Sequence, residues 1–467
     1  MKKILVSIVV LLAVFAIVLP ASAFEVKYGG FFRLRPQFND NLTGANPPGN
    51  PIGSNWNDNQ QYIDQRLRVF MNFIASENLR LVTGWEMDTL WGGFGNKLRY
   101  EHRDAINVEL KHAYVDFMIP CTPVRAKAGL QPLAFMQGWI VDEDFTAFDF
   151  SAKFDPITVS AGYIQELTAN SSANSPTYPV TQWQQRVDDW YLSASYAQGP
   201  FTAGLVGFYQ NGRNGGSTSA PSAKTWVSEA PRGNNDNLFD LGVNLGYKLD
   251  WMNVFLNYVQ NLGSYDSVTT GQSVNYKGFM VEAGSNFFYG PFTFNLGGFV
   301  TSGDDQASKV TNTYNGFVYP QGKSHYWSEI MGLGTLENTT GFAGVDDQVT
   351  PKNVGAYAAG DHPSNLWTIN AGAAWQALAD TKLTFNYYYI GAYKKVTSGS
   401  RITPVGVPVT DTSNAIGNEF DLYLDQKIVD GLMLRLVGAY MIANDGYTIY
   451  NEDANPWELG ARLQWSF

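Results

Sequence analysis

Basic residues recur at every second position in the first part of the chain. Arg33 and Arg35 lie two residues apart, as do Arg66 and Arg68. In an extended strand, residues at this spacing point to the same face. Cations aligned on one face attract and guide anions. The basic residues in phase with the polar face of their segments are Arg33, Arg35, Arg66, Arg68, Arg80, Lys111, Arg125 and Lys127.

Acidic residues show the same spacing near the end of the chain. Glu419, Asp421 and Asp425 share one face of a predicted strand. Glu458 and Arg462 share a face of the last strand. Basic and acidic rows across an enclosed space would produce a transverse field that orients polar solutes. The alternative is that these charges pair with one another and stiffen a hydrated wall without selecting solutes, because exposed ion pairs contribute only about 0 to 1 kcal/mol.

The elements that would hold these side chains are β-strands with one apolar and one polar face. In residues 457–467, apolar residues occupy the odd positions, and polar residues or glycine occupy the even ones. Residues 239–249 and 382–389 alternate in the same way. About eighteen such strands follow, most near the roughly 9 to 11 residues that a tilted membrane strand needs. We therefore predict an all-β fold, a transmembrane antiparallel β-barrel whose polar face encloses a pore.

The connections between the predicted strands alternate between short turns and long polar segments. This alternation is typical of outer-membrane barrels, which have short periplasmic turns and long extracellular loops. Aromatic residues near strand ends, such as Trp251, Tyr289 and Trp465, are typical of the belts at the two membrane interfaces. A soluble β-sandwich explains neither feature, and the chain is far longer than one sandwich. The long segments are residues 39–60, 90–106, 167–186, 211–236, 303–365 and 394–414.

Residues 1–23 have the composition of a secretory signal peptide. Two lysines precede an apolar run, and Ala21-Ser22-Ala23 forms a small-residue cleavage site. The alternative of a membrane anchor is disfavoured, because the run is shorter than the roughly 20 residues that span a bilayer. We predict a cleaved signal peptide over residues 1–23 and a single barrel domain over residues 24–467. The expected location is the outer membrane of a Gram-negative bacterium.

Composition argues against several classes of function. With 31 Lys and Arg against 42 Asp and Glu, the net charge of −11 speaks against a nucleic-acid partner. The single cysteine, Cys121, allows no intrachain disulfide. The four histidines, His102, His112, His325 and His362, include no pair with zinc-ligand spacing. No nucleophile, base and orienting group stand out together, so we expect no enzyme activity, no catalytic residue, no metal and no cofactor.

Two connections have a composition suited to folding inward and narrowing the opening. Residues 131–144 combine large apolar side chains, such as Phe135 and Trp139, with three consecutive acids. Residues 303–365 form the longest connection and contain Tyr319 and Trp327. The alternative is an external loop shaped by surface exposure.

Short motifs resemble one known family. The stretch from Phe31 to Arg35, followed by residues 65–68 and 111–116, resembles the opening of the alginate-export-type porins, and residues 417–422 resemble their penultimate region. The resemblance covers only part of the chain. It implies an eighteen-stranded barrel with an electropositive lumen. In that lumen, a polyanion would be guided by Arg33, Arg35, Arg66, Arg68 and Arg125.

Three functional hypotheses follow. The first is a passive outer-membrane channel for small hydrophilic solutes, with a preference for anions near the arginines. The second is an exporter of an anionic polysaccharide. The third is a barrel sheath for a redox or enzymatic partner; the chain has no Cys-x-x-Cys-His, so any haem would belong to that partner. The expected partners are outer-membrane lipid and the permeating solute or polyanion, and a homotrimer is expected by analogy with other porins.

Overall fold

The computed structural model describes thirteen segments of the chain. The predicted signal peptide, residues 1–23, and parts of every long predicted connection lie outside them, as do His102 and His362. The described segments are residues 25–40, 60–91, 108–167, 186–212, 234–266, 272–304, 312–320, 325–337, 363–397, 401–402, 408–409, 412–444 and 455–467.

Eighteen long antiparallel strands close into one barrel, because the last strand pairs with the first. The wall strands are β1 (Glu25–Asp40), β2 (Gln60–Ser76), β3 (Leu79–Leu90), β4 (Glu109–Met118), β5 (Val124–Phe135), β6 (Val141–Phe154), β7 (Ile157–Leu167), β8 (Arg186–Gln198), β9 (Phe201–Gly212), β10 (Asn234–Lys248), β11 (Met252–Asp266), β13 (Phe279–Tyr289), β14 (Phe292–Thr301), β16 (Leu366–Leu378), β17 (Thr381–Thr397), β20 (Thr412–Val429), β21 (Leu432–Ala443) and β22 (Trp457–Ser466). The predicted fold class is confirmed.

Four short strands lie outside the main wall ladder. Two of them pair in parallel with each other, and the other two form a separate two-stranded sheet. They are β12 (Ser273–Tyr276), β15 (Thr313–Tyr314), β18 (Arg401–Ile402) and β19 (Pro408–Val409). No helix in the described segments is long and apolar enough to cross a membrane.

The outer surface of the barrel is apolar, as the alternation predicts. Along β22, Leu459 and Trp465 are about half exposed outside, whereas Glu458 is fully buried inside. Lipid accommodates such a surface, and a closed barrel satisfies its backbone hydrogen bonds there without a free edge. Other large apolar side chains exposed on the outside include Phe148, Leu192, Leu205, Leu296, Ile369, Leu422 and Leu436.

Aromatic side chains surround the end of the barrel that carries the short turns. Trp251, Tyr289 and Trp465 are exposed there, which confirms the predicted aromatic positions at this end. The carboxy-terminal Phe467 exchanges two backbone hydrogen bonds with Gly30, at 3.0 and 3.1 Å. The chain end therefore closes the barrel at the same rim.

The short turns occur where the sequence predicts them, but one connection differs. The predicted connection over residues 131–144 is shorter in the structure, because β5 continues to Phe135 and β6 begins at Val141. The connection between β5 and β6 is therefore only residues 136–140 and contains a short 3-10 helix, Met136–Gly138. We call residues 136–140 the inner turn, because Trp139 and Ile140 in it are almost completely buried.

Candidate functional site

The described segments of the longest connection, between β14 and β16, lie inside the barrel. We call its described segments, residues 312–320 and 325–337, the inner loop. Tyr319, Met331 and Leu336 of this loop are fully buried. An external loop is therefore the wrong interpretation for these segments. Together with the inner turn and wall residues such as Phe208, the loop forms an apolar core inside the barrel.

A glutamate on β20 holds the backbone of the inner loop. Glu419 accepts hydrogen bonds from the Ile330 N–H at 2.6 Å, the Met331 N–H at 3.2 Å and the Ser328 hydroxyl at 3.0 Å. The next inward residue, Asp421, accepts one from the Glu329 N–H at 3.2 Å. Both carboxylates point inward as predicted, but the loop covers them completely. They anchor the loop and are not in contact with the open lumen.

A second anchor lies on the arginines of β1 and β2. Glu337 at the end of the inner loop forms ion pairs with Arg33 at 2.9 Å, Arg35 at 3.4 Å and Arg66 at 3.9 Å. Burial alone would raise the pKa of Glu337, but the attraction of Arg35, Arg33 and Arg66 outweighs it and lowers the pKa to about 2. The loop end is therefore held by a permanently ionised group.

A glycine makes room for the loop between these anchors. A Cβ atom at Gly460 would lie 2.6 Å from Cδ1 of Leu336, so any larger residue would displace the loop. Gln37 donates a hydrogen bond to the carbonyl oxygen of Leu336 at 2.8 Å. Arg35 donates one to the carbonyl oxygen of Thr335 at 3.3 Å. These contacts fix the position of the loop along β1 and β22.

The inner turn and the inner loop contact each other through aromatic rings. The rings of Trp139 and His325 stack with centroids 4.1 Å apart, and the Trp139 indole N–H donates to Glu282 at 2.6 Å. Burial lowers the pKa of His325, although Glu282 at 3.5 Å acts in the opposite direction. A Cβ atom at Gly242 would lie 2.7 Å from Cγ of Met136, so the glycine admits the turn.

The inward face of β1 to β5, which we call the basic wall, carries paired charges. Arg80 and Arg125 both bind Asp116, at 2.6 Å each, and Lys127 lies 3.6 Å from Asp149. The two arginine side chains are 38% and 37% exposed, whereas Asp116 is fully buried. Long basic side chains extend past the short carboxylates that neutralise them. Around Arg80, Arg125 and Lys127, the groups exposed to the lumen are therefore cationic even though their charges are paired. On β2 and β3 the order is reversed, because Asp88 is 42% exposed and its partner Arg66 only 16%.

The other predicted site residues are also engaged. Arg66 binds Asp88 at 2.5 Å, and Arg68 pairs with Glu86. Beyond the pairing of β1 with β22, Arg435 on β21 forms an ion pair with Asp425 on β20 at 2.6 Å. The predicted pairing of charges is confirmed for these residues, whereas two separate opposed rows are not what the structure contains.

Three further residues of the predicted site, Lys111, Arg462 and Glu458, differ from one another in their contacts. Lys111 lies at a break in the β3–β4 register, where His112 pairs with Gly84, and it binds Asp144 at 2.5 Å. Lys111 is the extra residue of a bulge, and it shares Asp144 with His112, whose Nε2 lies 2.9 Å from that carboxylate. Arg462 donates to Gln464.

The third of these residues is Glu458 on β22. It is fully buried, and neither of its carboxylate oxygens has a hydrogen-bond partner among the described residues.

Sequence reasoning missed several residues of the site. Asp116 and Asp149 lie on the inward face of their strands, so their alternation with apolar neighbours was a usable signal. Glu329 and Glu337 lie in a loop without periodicity, and no sequence signal distinguishes them from solvated acids. In the described part of the chain, no group of three or more His, Cys, Asp or Glu residues could hold a metal ion.

The comparisons with known proteins show a shared fold. The chain is similar to the Pseudomonas aeruginosa protein OpdL, with a TM-score of 0.53 and 10% identity over 95% of this chain and 99% of that one. It is similar to P. aeruginosa OpdK crystallised with vanillate (TM-score 0.52, 10% identity, 94% and 98% covered). It is also similar to Acinetobacter baumannii OccAB3 (TM-score 0.52, 11% identity, 94% and 100% covered).

No protein family and no curated protein matches the sequence. The structural neighbours are outer-membrane porins and do not support the alginate-export resemblance in particular. The closed barrel with its apolar outer surface is the architecture of a Gram-negative outer-membrane protein, as predicted.

Proposed function

We propose that this chain is a passive outer-membrane channel for small hydrophilic solutes, with a preference for anions. The observation that carries the proposal is the unequal exposure within the ion pairs that Arg80, Arg125 and Lys127 form on the basic wall. Arg80, Arg125 and Lys127 face the lumen, while Asp116 and Asp149 lie buried behind them. Counter-anions concentrate near such a surface, and the effect is strongest where low-dielectric walls focus the field.

The inner loop supports a limit on solute size. Its described segments lie inside the barrel and are held at both ends, by Glu419 and by Glu337. A loop held in this way reduces the open cross-section, which favours small solutes over polymers. We propose that the predicted residues on exposed parts of the basic wall line the route, whereas Glu419, Asp421 and Glu458 act by holding or surrounding the loop.

The test is the reversal potential of the purified protein in planar bilayers under a potassium chloride gradient. We expect the potential to have the sign of chloride selectivity. The double variant Arg125→Gln with Lys127→Gln should move it toward zero, because it removes two exposed cations while Arg80 stays paired with Asp116. Lys153→Gln, a lysine beside the short β6–β7 turn, is the matched control and should change nothing. A cation-selective wild-type channel would contradict the anion preference.

Vanillate is a suitable probe solute, because the fold neighbour OpdK was crystallised with it. We expect vanillate, a small aromatic carboxylate, to permeate. Selective blockade of the current by a uronate polymer would favour the exporter hypothesis instead. Absence of conductance would favour a sheath for a partner protein.

Two further predictions complete the proposal. We propose that residues 1–23 are removed on export, which amino-terminal sequencing of the membrane-derived protein tests. We also propose a homotrimer by analogy with other porins, which the mass of the detergent-solubilised protein tests.

A further inference from the structure

A second surface of the lumen differs in chemistry from the basic wall. It is the inward face of β13, β14, β16 and β17, which we call the amide wall. Asparagine and glycine residues occupy two neighbouring rows of the register across these strands. One row contains Asn286, Asn295, Gly372 and Asn386, and the next contains Gly284, Gly297 and Asn370.

The glycines form the floor of a recess, and the amides stand around it. A Cβ atom at Gly372 would lie 2.1 Å from Oδ1 of Asn386 and 2.4 Å from Oδ1 of Asn295. A Cβ atom at Gly297 would lie 3.2 Å from Oδ1 of Asn370. The three amides therefore converge on a small area of wall from which side chains are absent.

The inner loop lies over the recess, and together they form a pocket of about 390 Å³, within the usual size range of small-molecule sites. His325, Tyr326 and Trp327 of the loop form the side opposite the wall. Tyr326 is exposed, and Trp327 makes edge contacts with Phe299 and Tyr388. The pocket thus has amides on one side and aromatic rings on the other.

The amides of the recess are available for a ligand. Asn295, Asn370 and Asn386 are half-buried, and their side chains make no hydrogen bond to any described residue. Each amide offers both an acceptor oxygen and two donor hydrogens, whereas arginine and lysine offer donors only. Three uncommitted amides around one recess therefore suit a ligand whose groups both donate and accept hydrogen bonds, as hydroxyl groups do.

The charges around the pocket do not favour an ion. Its lining contains one carboxylate and one histidine, Glu282 and His325, which lie 3.5 Å apart. The Glu282 carboxylate already accepts hydrogen bonds from Trp139 at 2.6 Å and Asn257 at 2.8 Å. The negative charge of Glu282 would repel an anion in the pocket. A cation would have to compete for this carboxylate with the hydrogen bonds from Trp139 and Asn257.

From this geometry we propose that the pocket between the amide wall and the inner loop binds a neutral, polyhydroxylated solute of the size of a monosaccharide. The amides bind its hydroxyl groups, and the rings of Tyr326 and Trp327 pack on its C–H face. The inference rests on the proposed channel function and adds a second solute class to it. The basic wall and the amide wall would then serve different solutes on opposite sides of one lumen.

The experiment is swelling of liposomes that contain the full mature protein, with glucose and with sodium gluconate as probes. The two solutes have similar size but differ in charge. The glucose swelling rate of the wild-type protein should saturate with concentration, because passage includes a binding step. In the variant Asn370→Leu with Asn386→Leu, the half-saturating glucose concentration should rise about tenfold, which corresponds to the loss of hydrogen bonds worth about 1.4 kcal/mol in total. Gluconate swelling should stay unchanged.

Two further variants separate loss of glucose binding from misfolding or a general disruption of the channel. Asn295→Leu makes the same change on a different strand and should raise the half-saturating glucose concentration by a smaller factor. Asn72→Leu changes an asparagine in phase with Arg66 and Arg68 on β2, outside the pocket, and should leave glucose swelling unchanged. Glucose swelling that stays linear, or an equal loss for glucose and gluconate, would overturn the pocket. Swelling with neither solute would instead contradict the channel function itself.

Discussion

The basic wall and the amide wall face the same lumen but use their polar groups differently. On the basic wall, each described arginine has a carboxylate or loop partner, as Arg33 and Arg35 have in Glu337. On the amide wall, Asn370 and Asn386 make no side-chain hydrogen bond to a described residue. Charges must be paired when they are buried, so they build and hold the structure. Neutral amides tolerate a vacant partner at lower cost, so they stay available to solutes.

The largest effect on this contrast should come from Glu337→Gln. The change leaves the buried Arg33 without a carboxylate partner, whereas Arg35 keeps Asp64 at 3.0 Å, and breaking a buried pair costs about 3 to 5 kcal/mol. We expect the inner loop to leave the basic wall, which raises single-channel conductance and current noise. Glu77→Gln, in a short turn outside the lumen, is the control. An unchanged conductance would mean that the ion pairs do not hold the loop.

A smaller effect should come from Gly460→Ala. The added methyl group would meet Leu336 at 2.6 Å, and overpacking of this kind costs about 1 to 3 kcal/mol. We expect a partly displaced loop and an intermediate rise in conductance. Gly207→Ala is the matched control, because its Cβ atom would lie 3.4 Å from Phe239 in ordinary contact. Equal effects of the two variants would show that the close contact between Gly460 and Leu336 does not determine the position of the loop.

The smallest effect should come from acidification, which protonates two groups of the inner loop, His325 and Glu337, in different pH ranges. The pKa of His325 is lowered by burial, so the docked loop disfavours its protonation and docking weakens as the pH falls below about 6.5. The pKa of Glu337 is lowered to about 2, so its contribution is lost only as the pH falls from about 4.5 toward 2. Each of these two protonation steps makes the free energy of loop docking less favourable by at most about 1.4 kcal/mol per pH unit.

Current noise measured between pH 7.5 and 3.5 would separate these two steps. The variant His325→Gln should abolish the step near neutral pH and retain the acidic one. His112→Gln, on the basic wall, should retain both steps. A single step at one pH, or a first step that survives in His325→Gln, would contradict the assignment of the first step to the loop histidine.

Much of the wall could be predicted from the sequence. Strand β22 begins at Trp457, where the predicted alternation begins, because lipid outside and water inside impose an alternation that each strand carries by itself. The start of β6 was missed because Phe135 and Trp139 resemble a loop that folds inward, whereas β5 and β6 continue almost to each other. The bulge at Lys111 was missed because a single phase was applied to the whole strand, whereas one inserted residue reverses the alternation partway along it.

The candidate site could be predicted only in part. Alternation identified the inward direction of Arg33, Arg35 and Glu419, but not their partners. Those partners lie about 300 residues away for Arg33 and about 90 for Glu419, in a loop without periodicity. The same holds for the amide wall, because single asparagines in separate strands become a cluster only when the register aligns them.

The sequence by itself determined that the chain forms a barrel with an apolar exterior, since the period of two and the turn positions are local properties of each strand. The tertiary structure alone decided which inward groups are covered, which are paired and which remain available. That decision depends on the inner loop, whose position results from long-range contacts with Glu419, Glu337 and Gly460 together. Contacts of this kind form between distant parts of the chain, and no local pattern encodes them.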